Sequence, residues 1–579
     1  MMKERTIRTV VIGSGCAGLN ASDWLAALGE TDVAIVTENL LSGTSRNTGS
    51  DKQTYYKLSL AGDDGDSVGD MAQTLLRSDV HGDTALCEAA NSARCFMKLA
   101  SLGVPFPMNE YGEYVGYQTD HDVRRRATSA GPLTSRFMTE ALERSVKARG
   151  VELLDHVLAF RILTDERGVT GLLCLDTAQR EWLLIRCAHI VLCTGGPAMI
   201  YRNSVYPESQ CGMSGMAFAA GAAGANLDCW QYGLASVKFR WNVSGSYQQA
   251  LPRYVSVDAD GVEREFLSEA LGAAEAMDRT FLKGYQWPFD PRKADGSSYV
   301  DILVKAEEDA GRRVYMDYLH NPTGYRLDAL SEEARSYLVN CGADQALPID
   351  RLRAINAPAI ELYRSHGIDL AQELLEVRVC AQHHNGGIAV DADWQTCVPG
   401  LYACGEAAGT FGRYRPGGAA LNSTQVGSMR AAEHIARRSA RQAGDTTPAA
   451  LPTLPAGDAA ALIRRLQGDM TRYAAFQRSA EGIRGMLTEI DRIQEAQVAA
   501  SLDDPQLITR LRLADMLATQ REVLSAMLAS LDDDTDNGVL MTHRGQSRRV
   551  PARPLPQRDL WFERVWRTYR QQSESKQEE

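Results

Sequence analysis

Residues 8–29 read RTVVIGSGCAGLNASDWLAALG. Val10, Val11 and Ile12 form a short β-branched apolar run, the mark of a strand buried on both faces of a parallel sheet. Gly13, Gly15 and Gly18 follow with GxGxxG spacing, and Ala17, Leu19, Ala21, Leu25 and Leu28 suggest a packed helix. In such a unit the first glycine permits the tight turn, and the second lets a pyrophosphate approach the backbone. The third lets helix and strand pack closely, with the phosphates on the helix N-terminus. A second strand, Asp32–Thr37, ends at Glu38, 20 residues beyond Gly18, where an acid can bind a ribose hydroxyl. The stretch therefore reads as dinucleotide-binding.

Working outward, 579 residues are too many for one simple core, so two or three domains are expected. A net charge of −12 argues against a nucleic-acid partner or an anionic-membrane surface. No apolar run approaches the roughly 20 residues that span a bilayer, so no direct membrane insertion is expected. The N-terminus enters an apolar strand without a signal-peptide core, and a cytoplasmic location is the default expectation. Twelve cysteines are scattered without any CxxC, which provides neither a zinc nor an iron–sulfur site.

Two remote segments bear on which dinucleotide is held. HIVLCTGGP (189–197) is an apolar strand ending in Thr194, Gly195 and Gly196, and PGLYACGE (399–406) is a short strand ending at Glu406. A nicotinamide domain is complete within one stretch of chain, whereas a flavin domain of the glutathione-reductase type gathers strands from distant segments. With TSRNTGSDKQ, VCAQHHNGGIAVD and RPGGAALNSTQVGSMRAAEHIA added, the chain resembles the flavoprotein subunits of succinate dehydrogenase and fumarate reductase. Aspartate oxidase and adenylylsulfate reductase are relatives of that family.

The resemblance implies an α/β fold: a glutathione-reductase-type, Rossmann-like FAD-binding domain with an inserted α+β capping domain and a C-terminal helical domain. The FAD-binding domain would use residues 1–235 and 366–440, and the cap 236–365. A proline-rich linker at 441–456 would lead to the helical domain, 457–579. The resemblance places the pyrophosphate on Ser14, Gly15, Ala17 and Gly18, and the adenosine ribose on Thr37 or Glu38. The loop Ser45, Arg46, Asn47, Thr48, Gly49 and Ser50 would pass the flavin ring. Many members carry in that loop a histidine bonded covalently to the flavin; this loop has none, so non-covalent FAD is expected. Glu406 would touch the ribityl chain, and Ala420, Leu421 and Asn422 would open a helix facing flavin O2.

On the substrate side the family binds a dicarboxylate with histidines and arginines, and here the pattern departs. Gln231-Tyr232-Gly233-Leu234 stands where the family has Gln-Phe-His-Pro. The family's proton-donating arginine stretch is missing, leaving Arg253 as a displaced substitute, and the family's histidine before the paired glycines aligns with Gln382. Arg415 is the direct carry-over for anchoring a carboxylate. His383 and His384 precede Gly386 and Gly387, and neighbours on a strand point to opposite faces; the resemblance implies that one faces the flavin pocket, where it either moves protons or only packs, while the other packs or bonds backbone. A metal reading lacks further ligands.

These features suggest an FAD-dependent oxidoreductase acting on a small polar substrate, with genuine fumarate or succinate turnover not expected. The alternatives are a flavin-bearing electron-transfer subunit working with a separate iron–sulfur partner, and an amine or hydroxyl oxidase on the same fold. The aromatic string Tyr285-Gln286-Trp287-Pro288-Phe289 reads equally as pocket lining or as packing.

Overall fold

The computed structural model describes residues 2–574 apart from 63–64, 78, 120, 440, 445–450 and 533–537. The centre of the expected linker, 445–450, lies outside the described residues. Strand β1 (Thr9–Ile12) is fully buried and runs through a three-residue turn into helix α1 (Cys16–Ala27), and β2 (Val33–Val36) returns beside it. Helices α2 (Thr44–Asn47), α3 (Gly82–Ser101) and α4 (Thr134–Ala148) precede β3 (Glu152–Leu154) and β4 (His189–Leu192). An excursion follows through β5 (Trp230–Ser236), β6 (Trp241–Asn242), β7 (Arg253–Val257), β8 (Glu263–Arg264), β9 (Arg313–Asp317) and β10 (Leu375–His384). The chain then returns as β11 (Leu401–Ala403) and helix α5 (Ala419–Arg438).

Five strands form one parallel sheet in the order β11-β4-β1-β2-β3. Val10 is in register with Ala34 on one side and Ile190 on the other, while Val191 meets Tyr402. A strand from residue 401 thus completes a sheet begun at residue 9, the remote assembly expected of a flavin fold. Helix α5 locks that closure. The buried Asn20 amide on α1 donates to Gln425 O at 2.9 Å and Ser428 Oγ at 2.7 Å on α5.

The excursion folds into a six-stranded antiparallel sheet, ordered β6-β5-β10-β9-β7-β8. This sheet takes β5 largely from before residue 236 and β10 from after residue 366, so two adjacent inner strands come from either side of the expected cap. Pairing of β5 with β10 sets Gln231 opposite His383 and Trp230 opposite His384.

Beyond the linker come α6 (Ala459–Tyr473), α7 (Ala480–Glu495) and the long α8 (Leu507–Leu531). Their apolar stripes bury Leu466, Met470, Ile483, Ile490 and Leu524. Helix α8 also reaches back to the chain that follows β4, where its buried Asp515 accepts from the Met216 amide at 2.8 Å. The region does not stay helical. Residues Val539–His543 and Gln546–Val550 form a hairpin that extends a small sheet containing Gly224–Ala225, because Val539 and Leu540 bury there. Among the described residues no helix is long and apolar enough to cross a membrane.

Candidate active site

A cavity of about 940 Å³ opens along the C-terminal ends of the parallel strands and runs to the antiparallel sheet. Strands of a parallel sheet end there together, and the backbone amides of the turns that follow face a common space. At the β1–α1 turn, Gly13 has φ of +109°, and a Cβ on it would lie 2.4 Å from Cys193 O. A Cβ on Gly18 would lie 1.9 Å from Gly13 O, so this glycine sets how closely helix meets strand. Gly18 itself does not line the cavity, whereas Gly13, Ser14, Gly15 and Ala17 do. Ser14 Oγ lies 3.0 Å from Thr37 Oγ1, and the Cys16 amide donates to Ser45 Oγ at 3.2 Å.

The C-terminal region touches this end from behind, through one residue of the lining. Glu38 lines the cavity and is ion-paired with Arg512 on α8. Thr194 and Gly195 line it too, and Gln210 bridges the Thr194 and Gly196 carbonyls at 2.5 and 3.2 Å. Gly196 stands back, making room: a Cβ there would lie 2.5 Å from Glu406 Oε1.

Toward the middle, Ser45, Thr48, Gly49 and Ser50 face the cavity, while two neighbours in the same loop turn away. The helical turn α2 directs Arg46 to Glu143 on α4, an ion pair in which both side chains are at most 14% exposed. Asn47 closes its own turn by donating to Leu41 O and Gly43 O at 3.0 and 2.9 Å. On the opposite side Ala420 and Leu421 face in from the start of α5, where Gly418 at φ +87° packs against Thr54. Asn422 is rotated onto the inner face and donates to Glu88 O on α3 at 3.2 Å.

The remaining end is polar. Gln231, Gln382, His383, Glu406 and Arg415 all line it. Arg415 donates through Nη2 to Gln231 Oε1 at 2.6 Å and through Nε to Asn385 Oδ1 at 3.3 Å. Strand alternation separates the histidines. His383 faces the cavity with its ring edge against Phe411, 4.9 Å between centroids. His384 is 1% exposed, stacks on Trp230 at 4.2 Å and contacts Leu227 O through Nε2 at 3.2 Å. Burial, aided by the Arg415 charge, holds His383 well below the usual imidazole range, and burial takes His384 down to about 3. Glu406 accepts from the Tyr206 hydroxyl and from the His384 amide at 2.8 Å, yet burial dominates and pushes its carboxyl up to about 7.

Arg253 is not part of this set. Its guanidinium is held on β7 by Asp317 at 2.8 Å and Glu263 at 2.9 Å, because the β7–β9 register places Asp317 directly opposite. The aromatic string divides: Tyr285, Gln286, Trp287 and Pro288 line the cavity, and Phe289 packs on Phe476 at 4.6 Å. Asn385 is not singled out by the sequence, although its place two residues after His383 puts both on one strand face; its contact with Arg415 emerges only once β10 and the loop carrying Arg415 are brought together.

Several lining residues carry buried polar atoms without a protein partner: Thr44 Oγ1 and Thr194 Oγ1 near the glycine turn, and Asn242 Oδ1, Trp287 Nε1 and Gln382 Oε1 at the other end. Buried polar groups are normally satisfied, so these atoms mark where a ligand's polar groups belong. An elongated ligand with a pyrophosphate at one end and a hydrogen-bonding ring system toward the other fits this distribution.

A family model described as an FAD binding domain matches residues 8–421. The L-aspartate oxidase of Agrobacterium fabrum is 26% identical over 536 residues, covering 89% of each chain. Among solved structures, E. coli quinol fumarate reductase superposes with a TM-score of 0.69 at 18% identity, covering 96% of this chain and 98% of that one. Adenylylsulfate reductase from Archaeoglobus fulgidus superposes at 0.63 and 14% identity, covering 96% and 98%. These structural likenesses are likenesses of fold.

Proposed function

The chain belongs to the FAD binding domain family and is an FAD-dependent oxidoreductase, and on that premise we propose that it dehydrogenates or reduces a small polar substrate held beside His383 and Arg415. In this reading the Gly13–Ala17 turn takes the pyrophosphate, Thr37 and Glu38 the adenosine ribose, and Glu406 the ribityl chain. Ser45, Thr48–Ser50, Ala420 and Leu421 flank the flavin ring. FAD, held by these residues, would supply two-electron hydride chemistry.

The observation that carries the proposal is the convergence of Arg415, Gln231, Gln382 and His383 on one end of the cavity. Arg415 keeps its charge at any physiological pH, and two amide oxygens orient it, so it suits a substrate carboxylate. His383 is neutral, so it can take the proton that leaves a substrate O–H or N–H as the hydride leaves carbon. Where the family resemblance calls for a histidine, Gln382 presents an unpartnered acceptor, which favours an ammonium or hydroxyl over a second carboxylate. That feature and the 26% identity to an L-aspartate oxidase support an amine-oxidising second reading. Reoxidation by a separate iron–sulfur carrier is the corresponding proposal for the electron partner.

The test is anaerobic bleaching of the flavin absorbance by dicarboxylates, L-aspartate and other amino acids, hydroxy acids and polyols. Bleaching by one class, lost in Arg415→Ala, supports the proposal. Bleaching by none of them, with reduction only through a protein electron carrier, overturns it in favour of an electron-transfer subunit.

A further inference from the structure

The residue after the two histidines is placed to decide which nitrogen of His383 reacts. Asn385 is 1% exposed, and its backbone amide donates to Cys229 O at 2.9 Å. The glycines that follow bring this strand end against its neighbours. A Cβ on Gly386 would lie 1.9 Å from Asn226 O, and one on Gly387 2.6 Å from the Ala408 carbonyl carbon. The backbone that carries Asn385 is therefore held closely by its neighbours. Its Oδ1 lies 2.8 Å from His383 Nδ1 and 3.3 Å from Arg415 Nε.

A guanidinium N–H only donates, so the atom facing Arg415 must be the amide oxygen and not the nitrogen. That same oxygen faces His383 Nδ1, which must then carry the proton. Because His383 is neutral, its Nε2 is left with a lone pair. This reverses the preference of a free histidine side chain in water, which carries its proton mainly on Nε2.

We propose that Asn385 is a positioning residue: one carbonyl oxygen locks His383 as its Nδ1–H tautomer, leaves Nε2, 3.9 Å from Glu406 Oε1, as the basic nitrogen of the ring, and fixes the Arg415 fork. The inference rests on the proposed role of His383, but its test does not need a substrate. One donor–acceptor set at residue 385 couples proton acceptance to carboxylate anchoring. A substrate that displaces Arg415 from Asn385 also loosens the base.

The experiment uses FAD-loaded protein labelled with ¹⁵N-histidine, with His383→Gln identifying the His383 signals in two-bond ¹H–¹⁵N correlation spectra. The wild type is expected to show His383 protonated at Nδ1 and not titrating near neutrality. Asn385→Leu removes the acceptor, and the ring is expected to move to the Nε2–H form. Asn385→Asp keeps both hydrogen bonds, and its charge is expected to raise the His383 titration by about one to three pH units. A wild-type His383 protonated at Nε2 overturns the proposal, as does an Asn385→Leu spectrum unchanged from wild type. Should Asn385→Leu fail to fold, an unmoved titration in Asn385→Asp has the same force. A failed substrate screen alters none of these outcomes, so the two readings fail separately.

Discussion

Gly18→Ala puts the geometric reading of the first turn under direct strain. The new Cβ would lie 1.9 Å from Gly13 O, where ordinary contact begins near 3.4 Å. Both atoms belong to backbone or sit directly on it, so no rotamer relieves the clash. Helix α1 must draw back from β1 by about 1.5 Å, the difference between those distances. A hydrogen bond to an amide of the turn tolerates far less, since at 3.6 Å it has ceased to exist. Losing two charge-assisted bonds to a pyrophosphate, at about 1.5–3 kcal/mol each, weakens FAD binding by about 3–6 kcal/mol. At 1.4 kcal/mol per decade that is about a hundredfold to ten-thousandfold. Titration of the apoprotein with FAD, followed by quenching of flavin fluorescence, measures the effect, and far-ultraviolet circular dichroism confirms that the variant folds. Gly485→Ala is the control, because nothing lies within 4 Å of that position. A folded Gly18→Ala protein that binds FAD within tenfold of wild type would refute the reasoning.

Other outcomes follow from the same geometry. Glu406 holds a proton in the folded state up to about pH 7 that the unfolded chain releases near 4.5, so its contribution to stability is full below about 4.5 and is lost as pH rises toward 7. In apoprotein, Glu406→Gln should therefore gain about 3 kcal/mol on wild type between pH 4.5 and 8, read by denaturant unfolding at each pH; an unchanged difference contradicts the buried-acid picture. His383→Gln should abolish substrate-driven bleaching while retaining FAD, whereas His384→Phe, which keeps the stack on Trp230, should retain both; the reverse ranking would exchange their roles. Acid precipitation should leave the yellow colour in the supernatant, and colour retained in the pellet would show a covalent flavin.

Much of the nucleotide half was legible because its chemistry is local. A strand, a glycine-spaced turn and a helix occupy consecutive residues, and the glycines at 13 and 18 each have a steric reason that the motif itself supplies. The remote strands at 189 and 401 were legible because each ends in its own glycine-rich turn. Side-chain direction was less so. Arg46, Asn47 and Asn422 belong to segments that reach the cavity, but a single helical turn or the first turn of α5 rotates them away from it. The substrate end is set by tertiary register. Gln231 and His383 are about 150 residues apart in sequence and meet only because β5 and β10 pair antiparallel; the two-residue spacing of His383 and Asn385 puts them on one face, but nothing in the spacing announces that Arg415 joins them.

The ion pair between Glu38 and Arg512 joins the nucleotide cavity to a helix more than 470 residues further along the chain. Occupancy and docking are then reciprocal quantities: whatever free energy a bound nucleotide lends to the seating of α8, the seated helix lends back to retention of the nucleotide. Without nucleotide the seating of α8 would weaken by that same amount, and limited proteolysis of the C-terminal helices with and without FAD would measure it.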